Sequence, residues 1–563
     1  SYQVYRGTAA GMSTMQIATV NSPGFTSAGL TNGTRYYFRV VAANATGTGA
    51  FSTEVSATPV APTPTPTPTP PPPPPGSSTA TLQQAWRFLR QASFGPTQAT
   101  LDRVQAVGME AYVEEQFAAT PSTFPDTLLT APSVEYVEEH FYRNTLTGTD
   151  QLRQRVAFAL SQIFVVSAVE VDCAEAMVYY LRILQNGAFG NFNDLMRQIA
   201  LHPAMGEYLD MVNNAKADTV RGFLPNENFG RELMQLFTLG LVDLNIDGTP
   251  KLNPQGQPVA TYDQNGVMEL TRALTGWTYP DGIANTRTSF NYTKRYDQPM
   301  EPVQRQHDTG QKTVFGQIIP AGQTAEQDFD QAMRIVFNHP NVGPFIAKAL
   351  IQRLTSSNPS PAYIQAVAQV FNNNGSGVRG DLRAVVKRIF THPEAQQLGT
   401  ALTGKMMEPA LYIASIVRPL GTNVTDHPFM SDLSSEMAQR IYHSPSVFNY
   451  FSPGYRIPGT GQVAPEFQIY TTATALVRAN FAAKFLSGQF GSAVTVDLTP
   501  YSNLAATPDA LIDKVAALFL GGQIPATLKS TIATAVAAAP SSREKARTAL
   551  YLVLSSPYYQ IDH

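Results

Sequence analysis

Hydrophobic and polar residues alternate with two different periods along this chain, and the change falls near residue 79. Residues 1–58 contain segments with a period of two, such as 2–6 and 37–42, separated by Gly, Asn and Ser. This pattern is typical of short strands in a β-sandwich. From residue 79 to residue 563, apolar residues recur every three or four positions, which indicates helices. The sequence therefore predicts a mainly α protein, with a large multi-helix domain after a small N-terminal β-sandwich fragment.

The helical pattern is clearest where apolar residues line one face of a predicted helix. The sets that define such faces are Leu82, Trp86 and Leu89; Leu101, Val104 and Val107; Val156, Leu160 and Phe164; and Met333, Val336 and Phe337. Residues 511–520 and 543–555 also predict helices, whereas residues 287–293 and 313–319 alternate as strands do. The apolar stretch 156–169 is shorter than the roughly 20 residues that cross a bilayer. We therefore expect a buried helix there and no transmembrane segment.

A proline-rich segment, residues 59–78, separates the two patterns. Proline occupies 11 of the 17 positions from residue 59 to residue 75, at first alternating with threonine. Proline lacks an N–H group and has a fixed φ, so we expect an extended polyproline II spacer. A ligand for a proline-binding module is the alternative interpretation. We divide the chain into residues 1–58, the linker 59–78 and the helical residues 79–563.

The β-rich segment resembles part of a fibronectin type III domain. Residues 30–36, Leu-Thr-Asn-Gly-Thr-Arg-Tyr, followed by Phe38 and Val40, are similar to the strand that carries the tyrosine corner of that family. The resemblance covers only the later strands, so we expect the first two strands to precede Ser1. On that interpretation the chain is a fragment, and any targeting signal lies upstream.

Composition narrows the classes of function. With 563 residues, of which 14% are charged and 43% hydrophobic, the chain can bury large cores in two or more domains. The net charge of −3 shows no basic excess, so we expect no nucleic-acid partner. Cys173 is the only cysteine, which excludes a disulfide framework or a cysteine-based zinc site within one chain. We expect Cys173 to be an unreactive residue of a helix.

Charged, amide and aromatic residues concentrate in three segments of the helical region: 225–240, 269–277 and 307–313. The first segment predicts a helix that Asn226 begins as the N-cap and that Gly240 ends. Its packed face would consist of Phe229, Leu233, Leu236 and Phe237, at helical spacing.

Two hypotheses account for the charged residues of these segments. We expect Glu227 and Arg231 to lie one turn apart, opposite the packed face, and Glu232 to lie beside the apolar stripe. In the first hypothesis, Glu227 or Glu232 acts as a general acid or base in a pocket. Arg231 or Arg272 would bind an anionic or carbonyl group there, and Trp277 would offer a stacking surface.

In the second hypothesis, the same charges hold helices together. Glu227 and Arg231, four residues apart, would form an ion pair worth roughly 0.2–0.5 kcal/mol. Glu232 would bind an arginine of a neighbouring helix, and the candidates are Arg153, Arg155 and Arg272.

The segment that begins with His307 follows a long polar stretch, residues 278–306. Loops of that length are often binding loops or lids. His307 would act as a base and Lys312 would bind substrate, whereas an Asx-turn at the aspartate after His307 is the structural alternative. A metal site of His307 with Glu227 or Glu232 has suitable ligand types but no diagnostic spacing. We therefore assign no metal ligand, and the cofactor is unknown.

Three predicted helices end in the dipeptide His-Pro, at His202, His339 and His392. Proline begins helices readily and disfavours helix in the residue before it. We favour helix–helix corners at these positions, and three converging metal ligands are the alternative.

The helical region resembles the bacterial domain of unknown function 1800 family through many short segments in the same order. Those segments are 87–96, 152–160, 202–205, 226–240, 274–277, 307–313, 405–409, 444–450 and 556–559. Gly230 stands where that family more often has alanine. The resemblance implies an exported bacterial protein, often joined to surface modules, and it supplies no reaction.

Two functions follow from these observations. The first is a secreted or cell-surface bacterial protein, in the extracellular space or the cell envelope, that binds or processes an extracellular polysaccharide or other surface polymer in a polar pocket. The second is a non-catalytic surface scaffold or assembly factor whose polar motifs hold helices together. Polar motifs clustered in a charge-poor helical body support both, and the sequence leaves open whether the protein is an enzyme.

Overall fold

The chain folds into two compact units, Ser1–Gly76 and Ser77–His563. The computed structural model describes residues 1–21, 24–27, 30–31, 33–44, 47–59, 80–283, 288–397, 404–424 and 429–562. The spacer predicted as polyproline II lies outside the described residues from position 60 to position 79.

The first unit is built on one antiparallel sheet. Its strands are β1 (Tyr2–Gly7), β2 (Met15–Val20), β3 (Tyr36–Asn44), β4 (Gly47–Phe51) and β5 (Val55–Ala57). The strand order is β2-β1-β3-β4, and β5 also pairs with β3. Val4 of β1 and Val41 of β3 are buried. The two segments predicted from their period of two are confirmed as β1 and β3.

Tyr36 at the start of β3 is buried, and its hydroxyl accepts a hydrogen bond from the Thr31 N–H at 3.1 Å. A tyrosine that bonds back to the preceding loop in this way has the geometry of a tyrosine corner. The fibronectin type III assignment itself stays a prediction, because the described strands form one sheet and that family has two.

The second unit is mainly helical, as predicted. Its helices are α1 (Leu82–Ala92), α2 (Gln98–Val107), α3 (Met109–Ala118), α4 (Glu135–Thr147), α5 (Gln151–Ser161), α6 (Ala174–Gly187), α7 (Phe192–Leu201), α8 (Pro203–Tyr208), α9 (Asn228–Glu232), α10 (Gln264–Ala273), α11 (Ala325–Asn338), α12 (Val342–Leu354), α13 (Pro361–Asn372), α14 (Leu382–Thr391), α15 (Pro393–Gln396), α16 (Pro409–Leu420), α17 (Phe429–Glu436), α18 (Thr472–Leu486), α19 (Thr499–Ser502), α20 (Pro508–Phe519), α21 (Ala526–Ala538), α22 (Ser542–Leu554) and α23 (Pro557–Gln560). Short antiparallel pairs join β6 (Trp277–Thr278) to β7 (Glu301–Pro302), β8 (Lys312–Val314) to β9 (Gln317–Ile319), β10 (Lys405–Met406) to β13 (Ile561–Asp562) and β11 (Gly421–Val424) to β12 (Val494–Val496).

Threonine side chains begin several of these helices. Thr81, Thr97, Thr324 and Thr471 each accept the backbone N–H three residues on, and the side chain at that position bonds back to the threonine N–H. This capping box satisfies donors that a helix start leaves free. The four predicted apolar faces contribute to one continuous core. No helix among the described residues is long and apolar enough to cross a membrane.

Three local predictions differ in detail from the structure. Helix α5 ends at Ser161, well short of residue 169, and the Gln162 carbonyl just after it accepts a hydrogen bond (3.2 Å) from Arg353, 191 residues away. Cys173 is the N-cap residue of α6 and lies just outside the helix. The hairpin of β8 and β9 confirms the strands predicted for 313–319, whereas residues 288–293 form no strand.

The three His-Pro dipeptides are corners between helices, as predicted. His202, His339 and His392 each end one helix, and Nδ1 of each ring accepts the backbone N–H two residues further on at 3.2 Å. In α8 and α15 the histidine is the N-cap and proline is the first helical residue. The rings of His202 and His392 cap α8 and α15, and the His339 ring bonds to the turn before α12. These local roles support three separate corners.

Candidate functional site

The helix predicted over 226–240 begins later than expected. Helix α9 starts at Asn228, and Glu227 rather than Asn226 is its N-cap residue. The Asn226 carboxamide still accepts a hydrogen bond from the Asn228 N–H (2.9 Å). Asn226 therefore caps the start of the helix from the position before the N-cap residue. The Asn214 side chain holds the Asn226 backbone through two hydrogen bonds of 2.8 Å. A residue outside the segment therefore fixes this helix start.

The second half of this helix is a π-helical turn, Leu233–Thr238. The N–H of Gly240 donates to the Met234 carbonyl at 3.0 Å, and Gly240 ends the helix with φ of 74°, as predicted. The extra residue in a π turn rotates the side chains that follow it relative to an α-helix. Met234 and Phe237 are consequently buried, whereas Leu236, predicted on the packed face, is only partly buried.

Glu227 and Arg231 form the predicted ion pair, with 2.6 Å between Oε2 and Nη2. Gln264 at the start of α10 donates to both Glu227 oxygens, at 2.9 and 2.8 Å. Both charged side chains are partly exposed. The pair joins α9 to α10 at the surface, where such a contact contributes only about 0–1 kcal/mol.

Glu232 has no arginine partner among the described residues, so that prediction is wrong. Its Oε2 atom is buried without a hydrogen-bond partner. Burial raises the pKa of Glu232, and the charge of Arg231 offsets part of that shift. Arg153 and Arg155 donate instead to backbone carbonyls of α6 and α12, the helices against which α5 packs. A carboxylate with a perturbed pKa is common in functional sites, so Glu232 stays a candidate acid.

Arg272 joins α10 to the segment that follows the polar stretch. It binds Asp308 with two hydrogen bonds, at 2.9 and 3.1 Å, and Glu269 with one at 2.7 Å. Burial would raise the pKa of Asp308, but hydrogen bonds from Arg272 and the Gly310 N–H bring it below its ordinary value. The Gly310 bond (2.8 Å) is the Asx-turn considered above. All three Arg272 nitrogens donate to carboxylates, so a predicted role in ligand binding would require these bonds to break.

His307, Lys312 and Asp328 form a fully buried cluster, which we call the buried lock. Lys312 Nζ donates to Asp328 Oδ2 and to the Asp308 carbonyl. His307 Nε2 lies 3.1 Å from the same Asp328 oxygen, and Nδ1 lies 2.9 Å from the Thr275 carbonyl. Both ring nitrogens are occupied by the protein. The predicted roles of His307 as a base and Lys312 as a substrate-binding residue would require the lock to open.

Trp277 is buried, so its predicted role as a stacking surface needs correction. Its ring packs edge-on against Phe329 of α11, with the ring centroids 5.3 Å apart. Gly276 has φ of 90°, and a Cβ atom there would lie 2.9 Å from the His307 backbone nitrogen. Only glycine therefore permits the close approach of position 276 to the His307 backbone.

The polar stretch 278–306 is anchored to α8. Glu207 accepts hydrogen bonds from the hydroxyls of Tyr279 (2.9 Å) and Tyr296 (2.7 Å), and it also pairs with Lys294. These bonds fix the position of the stretch over its described residues. It forms one wall of a cleft and does not resemble a loosely held lid.

This cleft, which we call the Tyr179 cleft, has a volume of about 510 Å³. Its lining residues are Tyr179, Ile183, Asp194, Arg197, Gln198, Leu201, His202, Tyr296, Asp297, Gln298 and Pro299. None of the seven predicted site residues lines it. Sequence reasoning missed these residues because only the fold brings α6, α7 and the polar stretch together. The length of the polar stretch is the one sequence signal that points to this place.

The cleft has a buried base that adjoins the buried lock. Burial lowers the pKa of His202 to about 4, and its Nε2 atom lies near the Tyr296 backbone without a hydrogen bond of normal geometry. Arg197 pairs with Asp330 and lies over the Phe329 ring, 5.2 Å from its centroid. Phe329 therefore packs between Arg197, which lines the cleft, and the Trp277 ring.

The described residues contain no group of three or more His, Cys, Asp or Glu side chains placed to hold a metal ion. Glu227 is occupied by Arg231 and Gln264, and His307 by the buried lock. The metal site considered for His307 with a glutamate is therefore not formed by these side chains.

Comparison with known proteins gives a family and no activity. Searches of the curated proteins and of the solved structures found no match. The family model described as "Protein of unknown function (DUF1800)" matches residues 87–561. This range spans the Tyr179 cleft, the buried lock and the charged pair of α9. Because the match covers most of the chain, the protein belongs to the DUF1800 family.

Proposed function

We propose that the helical unit is a binding protein of the bacterial exterior and that the Tyr179 cleft holds its ligand, an extracellular polysaccharide. The lining of the cleft carries this proposal, because it combines two tyrosine rings with carboxylate, amide and guanidinium groups. A sugar ring has an apolar C–H face and a rim of hydroxyls, which aromatic rings and surrounding polar groups match. The volume lies within the range of roughly 300–1,000 Å³ that is usual for ligand sites.

The shape of the cleft suits one segment of a longer chain. Asp194, Gln198 and Gln298 are exposed at its rim, whereas Tyr296 and His202 are buried at its base. A polymer could therefore place one or a few sugar units on the tyrosines and continue into solvent on either side. The N-terminal β unit and the Thr-Pro repeats support a location outside the cell, since Thr-Pro repeats are common as spacers between secreted domains.

Binding can be tested with the full chain by co-sedimentation with a panel of insoluble polysaccharides, followed by calorimetry with soluble fragments of any that bind. We expect Tyr179→Ala to weaken binding by about tenfold or more, the equivalent of about 1.4 kcal/mol, because it removes one aromatic face. Glu227→Gln, a partly exposed position outside the cleft, is the matched control. Equal binding by the two variants would contradict the proposal. Release of new reducing ends in the same samples would show processing in addition to binding.

The second candidate is a non-catalytic scaffold or assembly factor. The observation that favours it is the buried lock, in which His307 and Lys312 of the predicted site bond to Asp328 of α11. The neighbouring bonds between Arg272 and Asp308 connect α10 to the same segment. Such networks tie helices together and need no ligand. Failure of every polysaccharide to bind, together with a strong dependence of folding on the lock, would favour this candidate.

A further inference from the structure

A second cavity, of about 380 Å³, lies beside the π-helical turn and shares no lining residue with the Tyr179 cleft. Its apolar walls include Leu236, Leu239, Leu241, Val242, Phe345 and Phe448. The π turn rotates Leu236 away from the packed face, and this residue now lines the cavity. Leu241 and Phe448, at the mouth of this cavity, are 57% and 48% exposed. Exposed apolar side chains around a concave site are typical of a binding site for an apolar group.

Three buried polar side chains also line this cavity: Gln162 (4% exposed), Gln352 (2%) and Arg353 (5%). Gln352 is already bonded, because its Nε2 donates to the Ser357 and Pro453 carbonyls. Arg353 Nη2 donates to the Gln162 carbonyl at 3.2 Å, and Arg353 Nε is buried without a partner. Gln162 Nε2 donates to Glu408 at 2.6 Å, and Gln162 Oε1 is buried without a partner. Two residues of the cavity wall therefore each have an unused buried group, a donor in Arg353 and an acceptor in Gln162. Leaving such groups unbonded in a protein interior is unfavourable.

The charge behind the cavity favours an anion. Arg155 donates to the Arg353 carbonyl (3.1 Å), and Lys405 pairs with Glu466 and lies 3.6 Å from Glu408. Within the described chain, Arg353 itself has no carboxylate at ion-pair distance. Glu408 and Glu466 act on the Arg353 guanidinium electrostatically without forming an ion pair with it. Buried charges are usually paired, so a ligand with one negative charge would give Arg353 a direct partner.

We propose that this cavity binds an aliphatic carboxylate that carries a hydroxyl or amide N–H close to its carboxyl group, such as a hydroxy fatty acid. The carboxylate bonds to the Arg353 guanidinium, and the hydroxyl or N–H donates to Gln162 Oε1. The aliphatic chain lies along Leu236 and Phe345 and leaves the cavity between Leu241 and Phe448. This inference is independent of the polysaccharide proposal, because the two cavities share no lining residue.

Calorimetry of the full chain with 3-hydroxydecanoate, below the concentration at which it forms micelles, tests the proposal. We expect saturable binding of 3-hydroxydecanoate at one site. It should bind at least tenfold more tightly than decanoate, which lacks the hydroxyl donor, and at least tenfold more tightly than 1,3-decanediol, which lacks the negative charge. 3-Hydroxybutyrate should bind at least a hundredfold more weakly, because each buried methylene contributes roughly fourfold in affinity. Binding of the protein to anionic phospholipid vesicles is measured as well. Binding to the vesicles without binding to the free acid would overturn the proposal.

Substitutions of exposed side chains at the mouth of the cavity test binding without changing the buried core. Leu241→Asp places a like charge beside the exposed end of the cavity and should abolish binding of 3-hydroxydecanoate. Leu252→Asp is the matched control, because Leu252 is similarly exposed (59%) and does not line the cavity. Arg353→Met should also abolish binding if the variant folds. The proposal is overturned if 3-hydroxydecanoate does not bind, if the neutral diol binds equally well, or if both aspartate variants bind as the wild type does.

Discussion

Replacing Lys312 with methionine tests whether the buried lock stabilises the helical unit. The Lys312 and Asp328 side chains are 0% and 1% exposed, and Asp328 Oδ1 is buried without a partner. Methionine keeps most of the length and volume of lysine but leaves Asp328 with His307 alone. Breaking a buried ion pair from one side destabilises a protein by about 3–5 kcal/mol. A Coulomb energy of about 4 kcal/mol, for charges 4 Å apart in an effective dielectric of 20, agrees with that range.

The measurement is the free energy of unfolding in urea, followed by helical circular dichroism of the full chain. We expect Lys312→Met and Asp328→Asn each to lower it by about 3–5 kcal/mol. The double variant should lose less than the sum, with a coupling free energy of about 2 kcal/mol or more. Glu227→Gln, which removes a partly exposed pair, should change it by less than about 1 kcal/mol. A Lys312→Met protein as stable as Glu227→Gln would refute the structural role of the lock.

Three further predictions concern single residues. His202 resists protonation in the folded state, where its pKa is about 4 against an ordinary 6.5, so the free energy of unfolding should fall by about 3 kcal/mol as pH drops from 6.5 to 4. Urea titrations across this pH range should show a smaller loss for His202→Asn. The same loss in the wild type and the variant would contradict the assignment. Gly240→Ala should lower the melting temperature, because φ of 74° costs about 1–2 kcal/mol for alanine and the new Cβ would lie 2.8 Å from Phe345. Glu232→Gln should raise the melting temperature at neutral pH, since burial raises the Glu232 pKa and the wild type loses stability as pH rises through that value. A lower melting temperature for that variant would mean that the carboxylate has a partner.

Local features were predictable from the sequence, and features made by distant contacts were not. The i,i+4 pair of Glu227 and Arg231 follows from helix geometry alone, as do the histidine corners. The bond at the end of α5 comes from Arg353 of another helix, so no local pattern contains that contact. The partner expected for Glu232 failed for the same reason, because the direction of an arginine side chain is set by the packing of its own helix.

The Tyr179 cleft and the π turn illustrate the same limit. Tyr179 and Tyr296 belong to segments more than a hundred residues apart, and their proximity is a property of the fold. The π turn shifts Leu236 off the face that a regular period of 3.6 assigns to it. The mainly α class needed no such contacts, because it rests on periodicity repeated over many helices.

The position of Cys173 gives the protein a natural reporter. It is the only thiol in the sequence, it is partly accessible, and it is close enough to Tyr296 to influence that hydroxyl electrostatically. Tyr296 forms part of the wall of the Tyr179 cleft. A small environment-sensitive dye on this one sulfur would therefore sit beside the cleft without any engineered cysteine, and its emission could be used to screen glycans against the unaltered chain.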